Sequence, residues 1–182
     1  MTYLSEFQQA VAYSQQLGVK PDMTFAQERL LVPKNLEAIP YMVRDVLGEL
    51  TPADLVAQCL SIHLRLVPVL EKVFGVQPAF TIGYIKSGST FRFKTLDNYF
   101  SELAANGLGT RTFEAHAWLT LPSMEILDFS LPTSMALING WTEGEGMVLS
   151  GHADELKHNL SYHPQLVGAE FINKLGLIWT TS

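Results

Sequence analysis

Apolar positions recur every three or four residues through the first third of the chain, then alternate with polar ones through its middle. Phe7, Ala10, Val11 and Leu17 share one helical stripe behind a Ser5/Gln8 capping box, and Gly18 ends it. Thr24 and Gln27 repeat the capping pattern. They predict a second helical region that runs through Leu30 and Leu31, resumes after Pro33 and is shortened or bent at Pro40. Leu36, Ile39, Met42, Val43, Val46 and Leu47 form its stripe, so residues 1–50 are expected to be a helical N-terminal annex.

Thr51-Pro52-Ala53-Asp54 has the chemistry of a helix start, since Thr caps and Pro suits the first turn. Leu55, Val56, Cys59, Ile62, Leu66, Leu70, Val73 and Phe74 follow as a broad apolar stripe ending at Gly75, which marks a central buried helix kinked at Pro68. The period then changes to two. Residues 79–85 read as a strand, Ser87-Gly88-Ser89 as a turn and residues 90–94 as the returning strand. Leu96, Tyr99, Phe100 and Leu103 mark a short helix capped by Thr95 or Asp97. A hairpin over residues 112–130 comes next. Beyond Pro132 the pattern is weaker: an apolar stretch from Met135 to Ile138, a turn-rich acidic loop from Gly140 to Gly146, a short strand at 147–149 and a closing helix over 166–177. Helices first and antiparallel strands afterwards predict an α+β fold.

The hairpin carries the first candidate chemistry. His116 and Asp128 are an even number of positions apart, and strand side chains alternate faces. With residues 121–123 as the loop, 120 pairs with 124, 118 with 126 and 116 with 128, which sets an imidazole opposite a carboxylate. A carboxylate there holds the imidazole's tautomer and stabilises its protonated form, the orienting half of a nucleophile, base and orienter triad. The chain has one cysteine, Cys59, and it is the candidate nucleophile. His63, one helical turn further on, is a rival base.

Composition narrows the classes. The 182 residues are 47% hydrophobic and 16% charged, enough for one globular unit with a full core. A net charge of −6 without a basic cluster argues against a nucleic-acid partner. No run approaches the ~18 apolar residues of a membrane span. The first residues lack a charged segment leading into an apolar run, so no signal peptide is expected, and a lone cysteine suits a reducing cytoplasm. His152, Asp154, Glu155, His158 and His163 fit no zinc spacing and read as a solvated polar segment; Ser87–Ser89 and Gly144–Gly146 read as turns rather than phosphate loops.

One constellation is more specific. Cys59, a helix ending at Gly75-Val76, the run from Gly75 to Gly83-Tyr84, then His116-Ala117-Trp118 and Leu127-Asp128, resembles the transglutaminase-like superfamily of the papain-like cysteine enzymes over about residues 55–131. The resemblance implies that residues 51–182 form a transglutaminase-like domain. It makes Cys59 the nucleophile, His116 the base and Asp128 the orienter; by position alone Trp118 is a candidate wall of the acyl site, and Gln58, standing where that superfamily carries a small residue, a candidate oxyanion donor or an exposed helix residue. It further implies attack on an amide or peptide bond through an acyl-enzyme, with no metal or cofactor and a protein or peptide substrate. The acceptor, water or an amine, separates peptidase or amidase from acyl transferase; the competing expectation is an inactive module that binds a peptide. Oligomeric state is left open. That superfamily sets its cysteine at the first turn of the helix, whereas Thr51, the best cap here, stands eight positions before Cys59.

Overall fold

The computed structural model describes residues 1–48, 51 and 58–177. Among these are six α-helices, one 3-10 turn and a six-stranded sheet whose pairings are all antiparallel, so the fold is α+β. The order is α1 (Tyr3–Gln16), α2 (Pro33–Leu47), α3 (Cys59–Phe74), β1 (Ala79–Ser87), β2 (Thr90–Arg92), α4 (Tyr99–Asn106), β3 (His116–Thr120), β4 (Glu125–Asp128), α5 (Leu131–Asn139), β5 (Leu149–His152), the 3-10 turn (Ala153–Glu155), β6 (Leu160–Val167) and α6 (Glu170–Lys174). No helix among the described residues is long and apolar enough to cross a membrane.

Strand β1 is the hub. Its first half pairs with β3 and its last residues with β2, while β6 runs along its other edge; β4 and β5 extend the sheet beyond β3. Strand alternation then gives two cores. On one face Ile62, Leu66 and Leu70 of α3, Leu103 of α4 and Ile172 of α6 close over Phe80, Ile82, Ala117 and Leu119. On the other, Tyr3, Phe7 and Ala10 of α1 pack with Trp118, Ile126, Ile85 and Tyr162. Helix α1 also covers the outer edge of β6: the Ser14 hydroxyl donates to Ala10 O and accepts the Val167 N–H, both at 2.8 Å. A backbone donor that an edge strand would leave open is thereby satisfied.

Several expectations are corrected. Thr24 and Gln27 start no helix; α2 begins at Pro33, which occupies its first turn. The segment before it crosses the hairpin instead, where Ala26 donates to Pro122 O at 3.0 Å and the buried Glu125 carboxylate accepts Leu30 N–H at 2.7 Å and the Ser123 hydroxyl at 2.5 Å. The 112–130 hairpin is offset from its expected register: Leu119 pairs with Leu127 and Thr120 with Ile126. Pro122 at the second turn position and Met124 in the left-handed region, φ 60°, make the loop 122–124. The helix expected at Thr51 has its start outside the described residues except for Thr51 itself, and α3 begins at Cys59. The apolar stretch from Met135 belongs to α5, and the last short strand is β5 at 149–152 rather than 147–149. Residues 160–167, read in part as solvated and in part as helix, form β6. Pro164 is tolerated there because the β1–β6 register shifts between Ile82 and Gly83, a bulge that absorbs the missing N–H. The closing helix is confined to Glu170–Lys174.

Candidate active site

Cys59 is the first residue of α3, with Gln58 as its N-cap. The helix's first-turn N–H groups have no intrahelical acceptor and carry the positive end of its dipole, so the thiol stands beside a ready anion site. Gln58 is exposed and makes no side-chain cap bond. Cys59 is half-buried and free.

The thiol lies near enough to His116 to act on its charge. Burial alone would lower the imidazole's pKa, but the Asp128 charge and hydrogen bond outweigh it, and contact with Cys59 adds to them, so His116 is pushed up to about 10. His116 Nε2 donates to Asp128 Oδ2 at 2.5 Å. The pair is not directly cross-strand. With Leu119 opposite Leu127, His116 and Asp128 are diagonal neighbours on one face, within reach because parity is kept even though the register moved. With Nε2 committed to the carboxylate, Nδ1 is the nitrogen left for Cys59.

Asp128 is wholly buried and saturated with donors. Besides His116, its Oδ2 accepts Tyr162 Oη–H at 2.8 Å, and its Oδ1 accepts Ser130 N–H at 3.0 Å, Ser130 Oγ–H at 3.2 Å and Leu131 N–H at 2.9 Å. Burial opposes the charge, yet the His116 cation, its hydrogen bond, the nearby His63 and the Leu131 amide together hold the carboxyl well below the usual carboxylate range. The same carboxylate caps the start of α5, which ties the site to the corner where the chain leaves β4. Tyr162 is kept protonated by burial and by the Asp128 charge, so it serves as a donor.

His63 is the rival base that the geometry disarms. Its Nε2 accepts the Phe129 N–H at 3.0 Å, which leaves Nδ1 to carry the proton and donate to Cys59 O at 2.7 Å. Both nitrogens are thus spent on backbone. Desolvation, with the His116 charge adding to it, outweighs the pull of Asp128, 3.6 Å away, and lowers its pKa to about 4. It is a neutral strut between the first turn of α3 and the end of β4.

Trp118 is fully buried, so it lines no open surface, contrary to the expected acyl-site wall. It stacks on His116 at 6.1 Å and donates from Nε1 to Tyr3 Oη at 2.9 Å, which in turn meets Thr120 Oγ1 at 2.7 Å. Its indole needs Gly83: a Cβ built there would lie 2.9 Å from Trp118 Cη2 and 2.1 Å from the His163 carbonyl oxygen. Three contributors were missed in the sequence. Tyr162 carries a strand signal, apolar positions alternating at 160, 162, 164 and 166, masked by the proline; Phe93 and the Ser130/Leu131 amides carry none. Among the described residues no three His, Cys, Asp or Glu side chains converge in a way that could hold a metal ion.

Set against known families, curated proteins and solved structures, the chain matches none of them.

Proposed function

We propose that the chain is a thiol-dependent enzyme of the transglutaminase-like, papain-like kind, acting on an amide or peptide bond, with peptidase or amidase chemistry first. The observation that carries this reading is the Cys59 thiol at the first residue of a sixteen-residue helix, near an imidazole whose far nitrogen is held by a saturated buried carboxylate. In the proposed cycle Cys59 and His116 rest as a thiolate and imidazolium pair, the thiol proton already held on His116; the thiolate adds to the carbonyl, and His116 gives the proton to the leaving amine as the C–N bond breaks. Water, or a second amine, then attacks the thioester and releases Cys59. First-turn N–H groups of α3, with Gln58 beside them, supply the donors that an oxyanion requires. Asp128 orients His116 and stabilises its cation.

The test is alkylation of Cys59, the single cysteine, by iodoacetamide between pH 5 and 9. Rapid alkylation at pH 6, where an ordinary thiol with pKa ~8.5 is almost wholly protonated, and its loss in His116→Ala support the reading. A rate that follows an ordinary thiol, or that needs denaturant, overturns it in favour of a non-catalytic module that binds a peptide in the same place.

A further inference from the structure

One aromatic ring at the site has no part in the relay. Phe93, just after β2, stacks on the His116 imidazole with centroids 5.2 Å apart and an interplanar angle of 22°. Trp118 contacts the same imidazole from the core, His63 meets it edge-on at 6.4 Å and 82°, and Phe93 covers it from the exposed side, being 39% accessible itself. Phe93 thus stands against the same imidazole that serves Cys59, with the rest of its ring open to solvent. The backbone holds that ring in place against its own preference. Phe93 has φ 61°, a left-handed conformation that bulky side chains rarely adopt. Arg92 Nε and Thr95 Oγ1, on either side of it, are buried without a hydrogen-bond partner among the described residues. A strained residue and two unsatisfied polar atoms within four positions mark a segment shaped by something other than local stability.

We propose that Phe93 is the specificity-determining wall of the Cys59 site and selects substrates that carry a flat apolar group, an aromatic ring above all, next to the reacting carbonyl. The inference rests on the cysteine-enzyme reading above. Ring-on-ring contact with the outer face of Phe93 fixes the acyl group beside His116, and the same phenyl shields the imidazolium from water while the proton is held there.

The experiment compares Cys59 alkylation by N-benzyliodoacetamide and by iodoacetamide on the full chain, read by mass spectrometry. Each rate is divided by the rate for glutathione. The ratio of the two cancels any general change in thiol reactivity. In the wild type the benzyl reagent is expected to be favoured by about five- to tenfold, the order one offset-stacked ring contact supplies. Phe93→Ala brings the ratio to about one and Phe93→Tyr retains it; should Phe93→Ala fail to fold, Phe93→Leu, apolar but not flat, reads the same loss. A wild-type ratio of one, or a ratio that Phe93→Ala or Phe93→Leu leaves unchanged, overturns the inference. The two readings fail separately: His116-independent alkylation sinks the enzyme, whereas His116-dependent alkylation with no benzyl preference sinks the role of Phe93 alone.

Discussion

Replacing His63 by glutamine tests whether a buried neutral histidine ties the first turn of α3 to the end of β4. In the folded protein the ring donates from Nδ1 to Cys59 O and accepts at Nε2 from Phe129 N–H, so protonation destroys the second bond and puts a cation into a fully buried position. Its pKa is lowered from 6.5 to about 4, while the unfolded chain keeps the ordinary value. A group whose folded pKa is depressed contributes stability that is present above the unfolded pKa and is lost as pH falls toward the folded one. At pH 7 both states are mostly neutral and nothing is lost. By pH 5 the unfolded state is almost fully protonated at this site and the folded state is not, a difference of about 2 kcal/mol against the native fold. His116 acts in the opposite sense, since its raised pKa favours the fold as pH falls, but that contribution is common to wild type and variant. A glutamine side chain both donates and accepts without titrating. Urea unfolding of wild type and His63→Gln at pH 7 and pH 5 isolates the effect: the wild type should lose about 2 kcal/mol more than the variant over that interval. Parallel pH dependence in the two proteins refutes a neutral, backbone-bound His63.

Two further outcomes follow from the site's geometry. Gly83→Ala should destabilise the fold by about 1–3 kcal/mol, because the added Cβ meets the His163 carbonyl and the Trp118 ring; an unchanged urea midpoint would contradict that close approach. Asp128→Asn should remove the charge that keeps His116 protonated and set an amide donor against the Tyr162 and His116 donors. The His116 titration followed by NMR should then fall well below 10, since only Cys59 is left to oppose desolvation, and a titration still near 10 would show that Asp128 is not its cause.

Some of this was legible in one dimension because its physics is local. A period-two pattern with a turn between its halves identifies the β1–β2 and β3–β4 hairpins, and parity alone puts His116 and Asp128 on one face whichever even register the turn selects. Gly75, left-handed at φ 70°, ends α3 where the sequence shows it. Loop 122–124 is a different matter, because its register depends on Met124 accepting a positive φ, which nothing in a methionine announces.

The tertiary structure decided what depends on contacts distant in sequence. Strand β6 exists although it contains Pro164, because β1 accommodates a bulge there and Ser14 of α1 satisfies the far edge; neither partner is visible from residues 160–167. Trp118 looked like a site wall by position, and it is core because Tyr3, more than a hundred residues away, accepts its indole N–H. His63 looked like a second base by helical spacing, and the Phe129 amide makes it a strut. The approach of His116 to Cys59 depends on the same long-range order, since α3 packs on the strand that carries His116. The sequence by itself determined which side chains were available and which face each would share. Packing between distant segments determined which became buried supports and which were left half-exposed around a thiol, because burial and unshared hydrogen-bond partners are properties of the assembled chain.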